Sequence, residues 1–325
     1  QAKERKAELL HTFLRVVEYA KTQDVSALLI AGDLFDTGRI SAGARNAVAG
    51  AICNSPGLTF YYLRGNHDKD AFLSSFEKIP ENLKLFRDGW TTYRMPLAHG
   101  GCVAVTGMEL AADNANAAYA SLLLSPREFN IVLLHGELAG YASGEKAEII
   151  NLNALRNKQI DYLALGHIHE RKGGELPPRG VWQYSGCLEG RGFDECGEKG
   201  FILLEIDEND LSCTRTFVPF AQRTVYEVRA DITGCVNSMQ LAERMEEALA
   251  ASPCTEKDMV KVVFTGKVDI SCEKDMTFLA KRIEGRFYFF KLEDKSELAI
   301  DYRDFALDAS LKGEFVRLLR DDTEL

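Results

Sequence analysis

Two histidines stand at a spacing of two at the end of an apolar run. Residues 163–170 read LALGHIHE, so that His167 and His169 follow Gly166 directly after the run. In an extended strand, residues two apart project to the same side, which would bring both imidazoles into one space. That space lies past the carboxyl end of the strand, where open α/β sheets place their ligands. The pattern indicates a ligand site, although two surface histidines that each bond a carboxylate would give the same letters.

Three further clusters of potential ligands follow other apolar runs. They read GDLFD at 32–36, GNHD at 65–68 and HGE at 135–137. Glycine in these clusters lets the backbone turn sharply, so that the next side chain faces the site. Four such clusters, each at the carboxyl end of a predicted strand, favour a single shared site.

The shared site would combine oxygen and nitrogen donors: Asp33, Asn66, His135, His167 and His169. The absence of cysteine argues against a structural tetrahedral zinc site. Carboxylate, amide and imidazole together suit manganese, iron or zinc in an open, catalytic arrangement. The two oxygens of Asp33 could bridge two metals, and metals about 3.5–4 Å apart can hold a phosphate and activate water.

The segments between these clusters alternate between helix and strand patterns. Helical spacing of apolar residues is found over 5–20 and 42–53, and a continuous apolar run at 25–31 is typical of a strand covered on both faces. Further strands are predicted at 58–63, 102–106, 131–134, 162–165, 181–184, 201–206 and 214–218. Alternation followed by short strands predicts two packed sheets with helices outside, a four-layer α/β/β/α sandwich.

The pattern changes near Arg223. From there it predicts a smaller α+β unit, with strands at 225–230, 260–265 and 286–292 and helices at 238–250 and 275–284. We therefore predict two domains, 1–222 and 223–325. An amphipathic helix over 310–320 is expected to pack on its own domain.

Composition limits the functions that the chain can have. It carries 39 basic and 49 acidic side chains, a net charge of −10, which counts against a broad electrostatic grip on nucleic acid. The charge does not exclude a nucleic-acid substrate that is held locally by bound cations or delivered by a partner. No apolar run approaches the roughly 18 residues of a membrane span, and no segment has the pattern of a signal peptide. The eight scattered cysteines contain no C-x-x-C pair, so we expect reduced thiols and a cytoplasmic location.

The motifs GDLFD, GNHD, HGE and GHIH, at these spacings, resemble the calcineurin-like binuclear metallophosphoesterases. Within that superfamily the likeness is to SbcD-type DNA-repair exonucleases and their YhaO-like relatives. FDE at 193–195, GEKG at 197–200 and DASLKG at 308–313 add to it. The resemblance implies a metallophosphoesterase sandwich with a small C-terminal capping domain. The motifs that carry the resemblance lie within residues 32–200 and are highly specific. The likeness in the last hundred residues is weaker.

The resemblance also implies a ligand set for two divalent ions, with Mn²⁺ expected and iron or zinc as alternatives. Asp33 would bridge the two ions. Asn66, His135 and His167 would hold one ion, and His169 would hold the other. Two-metal hydrolysis of phosphodiester bonds is the reaction that this arrangement implies.

Catalytic roles are implied for two neighbouring residues of the GNHD motif. His67 would lie over the scissile phosphate as general acid or transition-state stabiliser, and Asp68 would orient it. Asp36 and Glu137 would either support the ligands or cap their loops.

One motif of the family is missing from the chain. The family opens with D-x-H at the end of its first strand, which supplies two ligands to the metal that His169 serves. No D-x-H precedes Asp33, and His11, the only histidine there, lies in the helix pattern and is interpreted as a surface residue. Because four motifs of five survive and the first helix lacks a cap, we expect a further strand ending in D-x-H upstream of Gln1.

The leading hypothesis is a DNA exonuclease subunit with DNA as substrate. An SbcC-type ATPase of the coiled-coil kind would be its partner, by resemblance alone, and pairing with a second copy of the chain is left open. One alternative is a phosphodiesterase or phosphatase for small nucleotides or phosphoproteins. Another is a catalytically inactive binding scaffold, which the missing D-x-H would favour.

Overall fold

The computed structural model describes residues 2–35, 40–66, 68, 72–111, 114–139 and 148–299, together with 310, 311, 313, 314 and 318. The chain divides into two compact units. Unit 1 comprises residues 1–190 and 198–222, and unit 2 comprises residues 191–197 and 223–325. The segment 191–197, which the sequence analysis placed in the first domain, therefore belongs with unit 2. The functional division into a nuclease domain and a capping domain stays a prediction.

Unit 1 contains four α-helices, one short 3-10 helix (Leu73–Ser75) and thirteen strands among its described residues. The helices are α1 (Ala2–Thr22), α2 (Ala42–Cys53), α3 (Ala115–Ser121) and α4 (Leu152–Leu155). The first seven strands are β1 (Ala27–Ala31), β2 (Thr59–Leu63), β3 (Leu83–Leu85), β4 (Thr91–Pro96), β5 (Cys102–Gly107), β6 (Phe129–His135) and β7 (Glu137–Leu138). The others are β8 (Ile149–Ile150), β9 (Tyr162–Gly166), β10 (Lys172–Leu176), β11 (Gly180–Tyr184), β12 (Gly200–Ile206) and β13 (Cys213–Pro219).

Two sheets form the centre of unit 1. The smaller sheet has the order β1-β2-β3 and is parallel throughout. The larger has the order β10-β11-β9-β6-β5-β4, and its four inner strands run parallel. The carboxyl ends of β1 and β2 therefore lie at one edge of the first sheet, and those of β6 and β9 at one edge of the second. The pairs β12–β13 and β7–β8 stand apart from both sheets.

Side chains along the inner strands alternate between two cores, as the two-residue period of a strand requires. In β6, Ile131 and Leu133 pack between the sheets, whereas Val132 and Leu134 face α3 and α4. In β2, Tyr61 and Leu63 pack between the sheets, and the alternate residues face α1 and α2. Helices thus cover the outer face of each sheet, which confirms the predicted four-layer α/β/β/α architecture.

Strands and helices alternate along unit 2. Its elements are β14 (Val225–Asp231), α5 (Ser238–Ala251), β15 (Met259–Thr265), β16 (Lys267–Val268), α6 (Met276–Ile283), β17 (Phe289–Asp294) and β18 (Glu297–Leu298). Strands β14, β15 and β17 form a parallel sheet, and β16 pairs with β18. The apolar faces of α5 and α6 pack on one face of the sheet to form a separate core. Asn237 and Asp275 cap the two helices through their side-chain oxygens.

The burial of β1 and several short elements differ from the sequence expectation. The residues of β1 are half-buried instead of covered on both faces, because β1 is the end strand of its sheet among the described residues. The sequence pattern did not predict α3, α4 or several strands, among them β3, β4 and β10. In β10, two glycines and two charged residues hide the strand period. The helix expected over 310–320 lies largely outside the described residues, and the strand expected upstream of Gln1 stays a prediction. In the described part of the chain, no helix combines the length and hydropathy needed to cross a bilayer.

Candidate metal centre

Glycines at three strand ends let two sheets approach each other closely. A Cβ on Gly166 would collide with the backbone oxygen of Ala31, and one on Gly65 would collide with the carboxylate of Asp33. A Cβ on Gly32 would lie 2.7 Å from the His135 ring carbon Cγ. Real Cβ atoms do not come this near to other atoms, so only glycine fits at these positions. The ends of β1, β2, β6 and β9 can therefore converge because Gly32, Gly65 and Gly166, at or just after three of these strands, carry no side chain.

Asp33 leaves β1 in a conformation that L-residues seldom adopt. Its φ is +51°, and that of the preceding Gly32 is +89°. Aspartate tolerates the left-handed region better than most residues, and the two successive positive angles turn the chain sharply at the strand end. The carboxylate is thereby directed at His135, with Oδ2 at 3.2 Å from Nε2. The unusual backbone conformation at Asp33 thus directs its carboxylate into the group of ligands.

The ring of His135 has a defined tautomer. Its Nδ1 lies 2.9 Å from the carbonyl oxygen of Ala31, which can only accept, so Nδ1 carries the proton. Its Nε2 lies 2.8 Å from Oδ1 of Asn66 and 3.2 Å from Oδ2 of Asp33. When the imidazole is neutral, Nε2 of His135, Oδ1 of Asn66 and Oδ2 of Asp33 are all acceptor atoms, and they face one another. A cation between them resolves this arrangement, and the backbone bond at Nδ1 is the support that metal-binding histidines usually have.

His167 completes a group of three ionisable ligands. One ligand atom from each of Asp33, His135 and His167 lies within 4.8 Å of the other two. His167 is buried, has a φ of +100° and packs edge-on against the His135 ring, with 5.4 Å between ring centroids. A carboxylate and two imidazoles at these separations, with the Asn66 amide beside them, fit a divalent transition metal.

His169 lies outside this group of three. It is half-buried, and its backbone carbonyl accepts hydrogen bonds from the N–H of Cys187 at 3.3 Å and from Nζ of Lys199 at 3.1 Å. Its assignment to a second metal stays a prediction. Glu137 is buried in β7, and its N–H donates to the carbonyl of Glu148.

Asp68 connects the two loops that carry Asp33 and Asn66. Its carboxylate accepts hydrogen bonds from the backbone N–H groups of Leu34 at 3.3 Å, Phe35 at 3.1 Å and Gly65 at 3.1 Å. Burial raises the pKa of this carboxyl group, and these backbone bonds oppose the shift. Burial and the charge of Asp68 also raise the pKa of the neighbouring Tyr62. The carboxylate thus holds the first two ligand loops together. Its role in orienting His67 stays a prediction, and His67 and Asp36 lie outside the described residues.

The chain matches a known family over the region that contains this centre. Calcineurin-like phosphoesterase is the family whose sequence profile matches residues 7–171, which is 165 of 325 residues. The chain belongs to the calcineurin-like phosphoesterase family. Members of this family are hydrolases that bind divalent metal ions, in agreement with the donors found here.

Two curated proteins are similar to the chain. The uncharacterized metallophosphoesterase YhaO of Bacillus subtilis is 27% identical over 245 residues, covering 72% of this chain and 58% of YhaO. The DNA double-strand break repair protein Mre11 of Methanopyrus kandleri is 26% identical over 231 residues, covering 64% of this chain and 51% of Mre11. The chain thus spans less than two thirds of either relative. The crystal structure of TT1561 from Thermus thermophilus aligns with a TM-score of 0.44 at 15% identity, over 65% of this chain and 93% of TT1561.

Three charged residues beside the centre were not predicted from the sequence. A cavity of about 260 Å³ is lined by Asn66, Asp68 and His135 and also by Arg64, Glu109 and Glu148. Arg64 donates from Nε and Nη2 to the two carboxylate oxygens of Glu109, at 2.7 and 2.6 Å. Glu109 stands just after β5, so the rule that found the ligand clusters at strand ends applies to it as well. Glu148 gives no such signal, because it precedes its strand.

A larger cavity, of about 360 Å³, lies against α1 and carries no ligand set. His11, Arg15, Tyr19 and Phe220 are among its lining residues. His11 is exposed, as predicted for a surface residue, and its Nδ1 lies 2.6 Å from Nε2 of Gln222. We therefore place the chemistry in the smaller cavity, where carboxylate, amide and imidazole meet.

Proposed function

We propose that the chain is a metal-dependent phosphodiesterase that acts on DNA, as a nuclease subunit of SbcD type. The observation that carries this proposal is the convergence of Asp33, Asn66, His135 and His167 at the ends of four strands from two sheets. Family membership supports hydrolysis of a phosphate ester. The DNA substrate rests on the similarity to a DNA double-strand break repair protein and on the motifs that resemble SbcD-type nucleases.

Two divalent ions, with Mn²⁺ as the first expectation, would supply positive charge against the phosphoryl oxygens and lower the pKa of water when bound. Asp33, Asn66, His135 and His167 would hold one ion, with Asp33 also reaching the second ion at His169. The Nδ1 proton of His135, donated to Ala31, keeps Nε2 available as a ligand atom.

Two residues of the GNHD motif complete the proposed mechanism. His67 would donate a proton to the leaving oxygen of the phosphodiester or stabilise charge in the transition state. Asp68 contributes by fixing the loops that carry Asp33 and Asn66, through the three backbone bonds that it accepts. These roles need no ionisable residue of unit 2.

The partners belong to the same proposal. A net charge of −10 does not provide a basic surface for DNA, so DNA would be held locally at the metal centre or presented by a partner protein. An SbcC-type ATPase is the partner that the resemblance implies, and unit 2 would act as a cap that shapes access to DNA. Pairing with a second copy of the chain would be compatible with this arrangement.

Hydrolysis of bis(p-nitrophenyl) phosphate and of linear duplex DNA, each with added Mn²⁺, tests the proposal. Cleavage of both substrates, abolished by EDTA and restored by Mn²⁺, is the expected result. Cleavage of the small ester without DNA cleavage would favour a phosphodiesterase for small nucleotides or phosphoproteins. Cleavage of neither substrate, by protein that binds Mn²⁺, would contradict the enzymatic proposal and favour a binding scaffold.

A further inference from the structure

A buried lysine holds the loop that carries His169. Lys199 is only 6% exposed, and its Nζ donates to the carbonyl oxygen of His169 at 3.1 Å. The same oxygen accepts from the N–H of Cys187 at 3.3 Å and from its Sγ at 3.6 Å. Because this carbonyl has three donors around it, the peptide plane after His169 has little freedom to rotate.

The bond to Lys199 is stronger than an ordinary backbone contact. An ammonium loses its hydration when it is buried, so its hydrogen bonds to protein atoms are retained more firmly than those of an exposed lysine. Fixing the peptide group that follows Cα of His169 also restricts the direction of the Cα–Cβ bond of His169. That direction limits the positions that the imidazole can reach. Lys199 therefore acts on the ring of His169 without touching it.

The main chain of Lys199 is fixed as well. Its carbonyl oxygen accepts from the N–H groups of Phe220 at 2.9 Å and Ala221 at 3.2 Å, at the end of the β12–β13 pair. The ammonium therefore projects from a rigid support toward the His169 loop. Such a support is what a side chain needs if it is to set the position of another group.

Lys199 also stands where the chain returns from unit 2 to unit 1. The preceding segment 191–197 packs within unit 2: the Phe193 ring lies 6.0 Å from that of Phe289, and Gly197 donates to the carbonyl of Val225 at 2.9 Å. Only Glu198 separates this segment from Lys199. The GEKG motif thus has a physical role, because it carries the chain from a packed segment of unit 2 to a lysine beside a predicted ligand.

We propose that Lys199 is a positioning residue that orients His169 for metal binding. The proposal rests on the proposed function in one respect, since His169 is the predicted ligand of the second ion. It predicts that loss of the Lys199 ammonium weakens that ion selectively. The centre formed by Asp33, Asn66, His135 and His167 keeps its own contacts and its own ion.

Co²⁺ binding to the full chain tests this role without any measurement of activity. We expect Lys199→Met to weaken the second Co²⁺ by about 10–100-fold, the range found when a residue that supports a metal ligand is lost, while the first ion binds as in wild type. Lys158→Met is the matched control, because Nζ of Lys158 also donates to a backbone carbonyl, that of Leu122, at 3.5 Å. If Lys199→Met does not fold, Lys199→Gln is measured with the same expectation.

Proton NMR of the Co²⁺-loaded chain adds a signature that a purely structural lysine would not change. The exchangeable Nδ1 proton of His135, held by Ala31, should keep its paramagnetically shifted signal in every variant. The ring N–H signal of His169, assigned by its loss in His169→Gln, should shift or broaden in Lys199→Met. It should return in Lys199→Arg, which restores a buried cationic donor.

The outcomes separate this proposal from the proposed function. Wild-type protein that binds two ions, and a Lys199→Met variant that binds both with unchanged affinity and signals, would overturn the role of Lys199 and leave the metal centre intact. Equal weakening by Lys158→Met would also overturn it. Wild-type protein that binds only one Co²⁺ would overturn the assignment of His169 to a second ion, and the role of Lys199 with it. Wild-type protein that binds no Co²⁺ would contradict the metal centre itself.

Discussion

His135 shows how much of the site one residue determines. Its Nδ1 donates to Ala31 at the end of another strand, and its Nε2 faces both Asn66 and Asp33. The ring therefore joins two sheets through one nitrogen and offers a ligand atom through the other. A histidine placed in this way has a fixed ring orientation with Nε2 directed at the centre, which is the support that metal-binding histidines usually have.

Replacement of Asp33 should remove metal from the centre. Asp33→Asn keeps the volume and tolerates the positive φ, but it removes the charge beside Nε2 of His135. We expect metal content, measured by elemental analysis after Mn²⁺ loading, to fall for both ions, and hydrolysis of the small ester to fall by roughly 100-fold or more. Asp24→Asn is the control, because Asp24 precedes the same strand with a φ of +53°. Metal content near wild type in Asp33→Asn would contradict the bridging assignment.

Replacement of His67 and of His135 by alanine should have different effects on Mn²⁺ content. His67→Ala should lower turnover by roughly 10²–10⁴-fold with unchanged Mn²⁺ content, because a general acid acts on the substrate and does not hold the ion. His135→Ala should lose Mn²⁺ together with activity. The two variants are compared by elemental analysis and by turnover of bis(p-nitrophenyl) phosphate. Loss of Mn²⁺ from His67→Ala would show that His67 is a ligand.

Asp68 should contribute to stability as well as to metal binding. Asp68→Ala leaves the N–H groups of Leu34, Phe35 and Gly65 without their carboxylate acceptor. We expect the free energy of unfolding, measured by urea denaturation, to fall by about 2–4 kcal/mol. Asp68→Asn, which keeps an oxygen acceptor, should lose less. Equal stability of Asp68→Ala and wild type would refute the connecting role.

At the scale of elements, the strand ends determine whether a site can form. The carboxyl ends of β1, β2, β6 and β9 each supply a ligand, and glycine precedes or follows that ligand in every case. Parallel strands place these ends at the same edge of each sheet. The absence of Cβ atoms at Gly32, Gly65 and Gly166 then lets the two edges meet.

A methyl group at Gly166 should separate the two edges. In Gly166→Ala, the new Cβ would collide with the backbone oxygen of Ala31, which cannot move without displacing β1. We expect loss of Mn²⁺ binding and a fall of about 1–3 kcal/mol in the free energy of unfolding, as is usual for overpacking. Gly50→Ala is the control, because no atom lies within 4 Å of a Cβ there and Gly50 lies inside α2. That variant should gain about 0.5–1 kcal/mol, and a similar gain in Gly166→Ala would refute the argument.

At the scale of the whole molecule, the described chemistry lies in unit 1. The five ligands predicted within the chain, from Asp33 to His169, belong to residues 1–190, and unit 2 has a core of its own around α5 and α6. Segment 191–197 lies in the sequence between two parts of unit 1, but it packs within unit 2. A cut at Arg223 therefore removes the residues against which this segment packs, among them Phe289 and Val225.

Removal of residues 223–325 should separate two activities. We expect protein that ends at residue 222 to hydrolyse bis(p-nitrophenyl) phosphate in Mn²⁺ and to lose cleavage of linear DNA, because this deletion removes none of the predicted ligands while it removes the proposed cap. A second truncation, with 191–197 replaced by a Gly-Ser linker of equal length, controls for the exposed apolar surface of Phe193. Folded protein that loses both activities would show that unit 2 does more than shape access to DNA.

Much of the fold was decided by local sequence. The nearly continuous burial of β2, β6 and β9 agrees with their continuous apolar runs, because both faces of each strand are covered. Helical spacing defined α1, α2 and α5 within a few residues. The ligand clusters could be recognised because each follows an apolar strand directly. The grouping of Asp33, His135 and His167 is therefore close to what their positions in the sequence predict.

Tertiary structure decided what depends on contacts between distant residues. The bond between His135 and Ala31 joins residues 104 positions apart, and the tautomer of the ring follows from it. The Arg64–Glu109 pair, the carboxylate of Asp68 between two loops and the bond from Lys199 to His169 are contacts of the same kind. Segment 191–197 packs with unit 2 because its aromatic side chain finds a partner there, although its neighbours on both sides belong to unit 1. A periodic pattern describes the two faces of one element, and it holds no information about which distant atom a polar group will meet.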